Sequence, residues 1–178
     1  SDVILDPGSV ESMTNTLFNN EKVGIVGMKL VFPDDCADMG LNPTIRPARK
    51  IQHVGLFTNI RAEFSHVFSG WSEDHPRPNS LFGVHAVTGA AMLVRRNLYN
   101  MAGRFWEGYG LGTYEDCYLC MSIHKMGYNV VVDTKARGVH YTGGTAEKFG
   151  IPYPLNQNQQ LFLSRWKENL VYTEYTAW

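Results

Sequence analysis

Short apolar runs alternate with stretches of helical spacing along nearly the whole chain, and this alternation restricts the fold more than any other feature. Val3-Ile4-Leu5 reads as a strand end and Asp6-Pro7-Gly8 as a turn. Ser9 is placed to cap a helix with Val10, Met13, Leu17 and Phe18 on one face, ended by Asn19-Asn20. Val23 to Val26 and Met28 to Phe32 read as two short buried strands, the second stopped by Pro33-Asp34-Asp35. Residues 34–50 read as a loop, Ile51 to Phe57 as a strand, and 58–83 as a long functional or mobile loop. Val84 to Arg95 reads as the most apolar strand. Thr88-Gly89-Ala90-Ala91 interrupts it, a sign of close approach by backbone or ligand. Asn97 caps a short helix that Gly103 ends. A helix from Glu115 places Leu119, Cys120, Ile123 and Met126 on one side and stops at Gly127. Tyr128 to Val132 reads as a strand, with His140 after a short connector. Asn156 opens a last helix with Phe162, Leu163, Trp166 and Leu170 inward, followed by an aromatic tail, Val171 to Trp178. Strands alternating with helices give an α/β layer structure. The 178 residues have the length of one domain with a real core, residues 1–178, its last helix and tail occupying about 155–178.

Charge and composition exclude several classes. A net charge of −1 with no long Lys/Arg run gives nucleic acid no bulk electrostatic attraction. No stretch approaches the roughly 20 apolar residues of a membrane helix, and no signal peptide is legible at Ser1-Asp2. The cysteines Cys36, Cys117 and Cys120 are few and odd in number, which points to a reducing, cytoplasmic compartment rather than a disulfide framework. Cys117 and Cys120 form a C-x-x-C on a predicted helix with no second pair, so buried apolar cysteine is the better reading than zinc or redox chemistry.

The segment Gly110-Leu-Gly-Thr-Tyr-Glu-Asp-Cys-Tyr-Leu-Cys120 carries the most chemistry. Its acidic pair, Glu115-Asp116, follows a glycine-rich turn at a helix start, where unpaired N–H groups and the macrodipole favour negative charge. An Asp held ionised there can accept a proton, but from these residues alone simple capping of the helix is the better reading.

The order of further motifs resembles glycosyltransferase family 2, on the GT-A fold, from Asp2 to about Trp166. Asp2-Val-Ile-Leu-Asp-Pro-Gly8 is similar to the segment opened by the last acid of that family's D-x-D or N-x-D motif. Val23-Gly-Ile-Val-Gly27, Lys29-Leu30 and Pro33-Asp34 resemble the strand pair that follows, and Ile51-Gln-His-Val-Gly55 resembles its I-Q-H-x-G. Val87-Thr-Gly-Ala-Ala-Met-Leu-Val-Arg-Arg96 resembles its T-G-A strand, and Glu115-Asp116 with Leu119-Cys120 its E-D-x-D-L-C helix. Gly127-Tyr128 and Val139-His140 complete the order.

The resemblance implies a GT-A-like, Rossmann-like mixed sheet flanked by helices, and an inverting, metal-dependent glycosyltransferase. The donor would be a UDP- or dTDP-sugar and the acceptor a saccharide or other hydroxyl, with Mn2+ or Mg2+ as cofactor. A divalent cation assists departure of the diphosphate, and a carboxylate takes the acceptor's proton. Carried over, Asp116 is the base and Glu115 orients it or binds the acceptor. Asp2 and His140 are metal ligands, hard oxygen suiting either ion and imidazole favouring Mn2+. Thr88, Gly89 and Ala90 line the donor-sugar pocket. Trp106, Glu107 and Tyr109 shape the acceptor side, since aromatic faces stack on sugar rings.

Two departures from the pattern stand out. Tyr118 occupies the place of the family's second helix Asp, which implies a changed acceptor contact. The chain starts within the metal motif, so much of the family's N-terminal nucleotide-binding half has no counterpart in it. If the chain begins natively here, a homo-oligomer that completes the site is expected, with a neighbour covering the sheet edge. Phe162 stands where processive synthases carry the Gln of Q-x-x-R-W before Arg165-Trp166, which favours single addition. The competing readings are a non-catalytic carbohydrate-binding or assembly subunit derived from a truncated transferase and, more weakly, a zinc hydrolase, against which the histidine spacing argues. Without the family pattern, His140 is a core histidine; His53, His66, His75 and His85 are scattered, and Arg95-Arg96 cover a strand end.

Overall fold

The computed structural model describes residues 2–37, 42–59, 61–142, 150, 152–168 and 170. The expected tail, Val171 to Trp178, lies outside them. At the centre, β2 (Val23–Val31) and β8 (Asn129–His140) run parallel, both crossing the core. Every residue of β2 is buried, as a near-continuous apolar strand covered on both faces requires. Around this pair stand short antiparallel neighbours: β1 (Val3–Leu5) and β6 (Phe82–Gly83) against β8, and β3 (Ile51–His53) and β7 (Met92–Val94) against β2. A separate two-stranded ribbon pairs β4 (Leu56–Thr58) with β5 (Phe64–His66). The mixed sheet is flanked by helices, as expected.

Side chains along β2 alternate between two cores. Val26, Met28 and Leu30 face α1 (Ser9–Phe18) through Met13 and Leu17. Ile25 faces the larger core, shared with α2 (Arg96–Met101), α3 (Glu115–Lys125) and α4 (Leu155–Trp166). Leu119, Cys120 and Ile123 of α3 are fully buried there, each aliphatic among them contributing roughly 1.5–3 kcal/mol by burial. Cys117 is buried as well, so the C-x-x-C is core packing.

Several boundaries differ from the sequence reading. Residues 23–31 form one strand, not two. Gly27 does not break it but lets Val87 approach, where a Cβ would lie 2.5 Å from Val87 Cγ1. The expected strand Ile51 to Phe57 bends at Gly55, whose φ of 112° separates β3 from β4. Of Val84 to Arg95 only Met92–Val94 is strand. Residues 84–91 turn across the end of the sheet, where the N–H of Leu56 donates to the carbonyl of Ala86. Val10 and Phe18 of α1 are exposed, at 55% and 69%. The stripe that packs is Ser9, Met13 and Leu17, and Ser9 does not cap: its hydroxyl donates to Arg137 O and accepts from Arg137 N–H on β8. His140 is the last residue of β8 rather than the far side of a connector.

The long segment 58–83 contributes β5 and β6 and is pinned by charge. Arg137 bonds Asp6 at 2.8 Å and Glu73 at 2.7 Å, and Arg49 bonds Glu73 at 3.0 Å. The buried Lys29 ammonium donates to Glu73 O and Asn79 Oδ1. No helix among the described residues is long and apolar enough to cross a membrane.

Candidate active site

The acidic pair stands at the mouth of α3, and its approach is unusual. Gly110 and Gly112 have φ of 65° and 116°, and Thr113 and Tyr114 follow at 71° and 70°. Two successive non-glycine residues in the left-handed region are rare and costly. The turn delivers Asp116 so that Oδ2 accepts the Gly89 N–H at 2.9 Å and Oδ1 accepts the Cys117 N–H at 2.7 Å. The expectation that the helix mouth dominates Asp116 needs correction. Desolvation outweighs the stabilising N–H bonds and raises its pKa above the ordinary carboxylate range. Glu115 is raised too, by burial first and by the neighbouring Asp116 charge second. Its Oε2 is buried without a hydrogen-bond partner among the described residues.

Thr88, Gly89 and Ala90 lie against this acid. A Cβ at Gly89 would meet Asp116 Cβ at 3.5 Å and Oδ2 at 3.9 Å, ordinary contact distances. Packing therefore does not demand glycine at 89, as it does at 24 and 27: a methyl there would sit in ordinary contact with Asp116 and Phe105. Gly89 and Ala90 also line a mostly apolar cavity of about 300 Å³ together with Val3 and Leu5 of β1, and Asp116 does not line it.

Behind Thr88 stand residues to which the sequence reading assigned no role. Thr88 N–H donates to His53 Nε2 at 3.3 Å. A neutral His53 then carries its proton on Nδ1 and donates it to His66 Nδ1, 3.0 Å away. Burial holds His53 well below the ordinary histidine range, and His66 is lowered to about 4. The signal for His53 was in plain view within Ile51-Gln-His-Val-Gly55, but the motif alone does not say what its imidazole holds. Gln52 serves the other end of the site: its Oε1 accepts from His140 Nδ1 at 3.1 Å.

Asp2 and His140 are brought together, with Asp2 Oδ2 3.5 Å from His140 Nε2. Val3 pairs with His140, and Tyr141 N–H donates to Asp2 O, so the pairing of β1 with β8 sets this approach. Burial lowers the His140 pKa more than Asp2 raises it. With Nδ1 donating to Gln52, a neutral imidazole turns the lone pair of Nε2 toward a carboxylate oxygen. Two electron-rich atoms facing each other suit a cation between them, and an oxygen–nitrogen set suits Mn2+. No third His, Cys, Asp or Glu joins them among the described residues, so the pair offers part of a coordination shell.

A short path of contacts links the two ends. Asp116 bonds Gly89, Thr88 bonds His53, and the adjacent Gln52 bonds His140, which faces Asp2.

The aromatic loop is placed differently from expectation. Tyr109 is 2% exposed and packs edge-on to Trp106, so it belongs to the core and offers no face to a sugar. Trp106 is half-buried, with the Arg165 guanidinium 3.7 Å over its ring. Tyr118, at the family's second Asp position, sits among Trp106, Tyr109 and Trp166. Glu107 is exposed on the short 3-10 turn Glu107–Tyr109.

No family model matches the chain, and no curated protein matches it by sequence. By fold it is similar to the crystal structure of GalNAc-T7 with UDP, GalNAc and Mn2+, with a TM-score of 0.55 at 10% identity over 78% of this chain. The fold is GT-A-like. The chain spans about a quarter of that neighbour's length, 26%. At this identity the likeness is one of fold alone; family 2 membership stays a resemblance carried by the motifs.

Proposed function

We propose that this chain carries the acceptor-activating part of an inverting, metal-dependent glycosyltransferase. It would move a sugar from a UDP- or dTDP-sugar to a hydroxyl of a saccharide or other acceptor. The observation that carries this reading is the Asp116 carboxylate, fixed by Gly89 N–H and joined through Thr88, His53 and Gln52 to the facing Asp2–His140 pair. The GT-A-like fold supports the coarser reading of glycosyl transfer, as does a fold neighbour whose structure contains UDP, GalNAc and Mn2+; inversion rests on the motif resemblance.

Asp116 takes the proton of the acceptor hydroxyl as that oxygen forms its bond to the anomeric carbon. The bond from that carbon to the diphosphate oxygen breaks, and its electron pair leaves with the nucleotide. A raised pKa brings the carboxylate closer to the working pH and makes it a stronger base than a solvated Asp. Glu115, beside it at the helix start, orients Asp116 or binds the acceptor. Thr88, Gly89 and Ala90 face the donor sugar, and the absent Cβ at 89 gives it room. Asp2 and His140 would hold Mn2+ or Mg2+, with Gln52 keeping the His140 lone pair available; a cation held there would supply the positive charge that a departing diphosphate needs. Trp106 and Glu107 border the acceptor side.

Calorimetry with UDP and dTDP, with and without Mn2+, tests the reading. Binding that needs the metal is expected; equal binding without it overturns the Asp2–His140 assignment. Absence of sugar transfer across a panel of nucleotide-sugars, with binding retained, would favour a carbohydrate-binding or assembly role. Glycan binding through the aromatic loop has less support, because Arg165 covers a face of Trp106.

A further inference from the structure

We propose that Asn158, on α4, is the positioning residue that aims Asp116, an inference that rests on the reading of Asp116 as the base. Asn158 is 3% exposed and belongs to none of the motifs. Its Nδ2 lies 2.9 Å from Tyr109 O, 2.8 Å from Gly112 O, 3.0 Å from Thr113 O and 3.0 Å from Thr113 Oγ1. One amide group thus spreads its two hydrogens over oxygens of a single loop.

That loop needs a restraint. Thr113 and Tyr114 hold consecutive left-handed backbone angles, and α3 has no side-chain cap of its own. Tyr114 is anchored at its far end, where its hydroxyl donates to Ala62 O at 2.8 Å. Thr113 is anchored by Asn158. Between these two fixed points the backbone can enter α3 in one direction, the one that sets Asp116 Oδ2 on Gly89 N–H. Relaxation of Thr113 to ordinary angles rotates the first turn of α3 and takes the carboxylate off that line. Asn158 acts through the loop and touches no reacting atom.

The test compares Asn158→Leu, Thr113→Gly and the double variant with the parent chain. Two readouts are followed: exchange of the Gly89 amide by NMR, and kcat against donor KM. In Asn158→Leu, Gly89 exchange should rise about tenfold or more while the amides of Val26 and Val131 stay protected. The kcat should fall on the order of 100-fold, as for a misplaced catalytic group, with donor KM and Mn2+-dependent UDP binding unchanged. Glycine adopts positive φ freely, so in the Thr113→Gly background the same Leu change should cost less than about threefold in either readout. Parent-like Gly89 exchange in a folded Asn158→Leu overturns the proposal, as does an undiminished cost in the Thr113→Gly background. If Asn158→Leu alone does not fold, the comparison within the Thr113→Gly background decides. A parent chain that transfers no sugar overturns the base assignment instead, and Gly89 exchange still judges the clamp.

Discussion

The two ends of the candidate site are built on opposite plans. At the acid end, Asp116 is half-buried and held from several sides: the α3 backbone, the Gly89 turn and a loop tied down by α4. At the cation end, Asp2 keeps a side chain 43% exposed, on the rim of the three-residue strand β1. There the chain contributes a pair of donor atoms, and at the acid end an environment. The difference separates two ways of making a carboxylate functional. Desolvation and fixed N–H donors tune a proton acceptor, whereas a metal ligand needs exposure and a neighbour.

Substitutions that leave one end intact should break the comparison most sharply. Asp116→Asn keeps an oxygen for one of Gly89 N–H and Cys117 N–H and sets its NH2 against the other, so it should fold with some loss of stability and still bind UDP with Mn2+ while transfer falls by about 10²- to 10⁴-fold. Steady-state kinetics beside calorimetry reads this, and an unchanged rate would remove Asp116 from the mechanism. His140→Ala should do the reverse. Mn2+-dependent UDP affinity falls about 100-fold, and Gln52→Ala costs about 10-fold by freeing the imidazole; titration calorimetry orders the two.

The pH response carries opposite signs at different groups. Asp116 is raised, so transfer should gain with pH along a limb above the ordinary Asp value near 3.9. For stability, the raised Asp116 and Glu115 disfavour folding as pH rises through their range, since the native state binds their protons more tightly. The histidines act oppositely. His53 is lowered well below its ordinary value and His85 to about 4, so their contribution is complete above about pH 6.5 and lost as pH falls toward 4. His53→Gln should flatten the melting temperature's decline between about pH 6.5 and 5, and scanning calorimetry over that window is the check.

The smallest effect is expected at Gly89. Ala there meets only ordinary contacts, so stability should stay within about 0.5 kcal/mol. A methyl facing the Asp116 carboxylate should nonetheless raise donor or acceptor KM. Gly27→Ala is the control: its Cβ would collide with Val87, costing about 1–3 kcal/mol in denaturant melts. A Gly89→Ala variant as unstable as Gly27→Ala would make residue 89 a packing glycine.

Local signals were read where local physics decides. The α3 helix begins at Glu115 as the acidic start and the apolar stripe required, and α4 and the apolar run of β2, read as two strands, were visible from hydrophobic patterning. The errors share a cause. Gly27 and Gly55 look alike in sequence, yet one is a close approach inside a strand and the other a left-handed bend. Which of these a glycine serves depends on Val87 and Val84, residues distant along the chain. Tyr109 read as a sugar platform because an aromatic in a glycine loop gives no sign of which way it faces; its ring faces the core.

The sequence by itself determined the α/β alternation and the acidic helix start, because hydrophobic period and helix-end preferences act over a few residues; burial in the tertiary structure set the raised pKa values of Glu115 and Asp116. Tertiary structure alone decided that Asp2 meets His140, that Gln52 and His53 serve opposite ends of one site, and that Asn158 holds the turn before Asp116. Those contacts join residues from 35 to 138 positions apart, and strand register and helix packing set them, which no local pattern encodes.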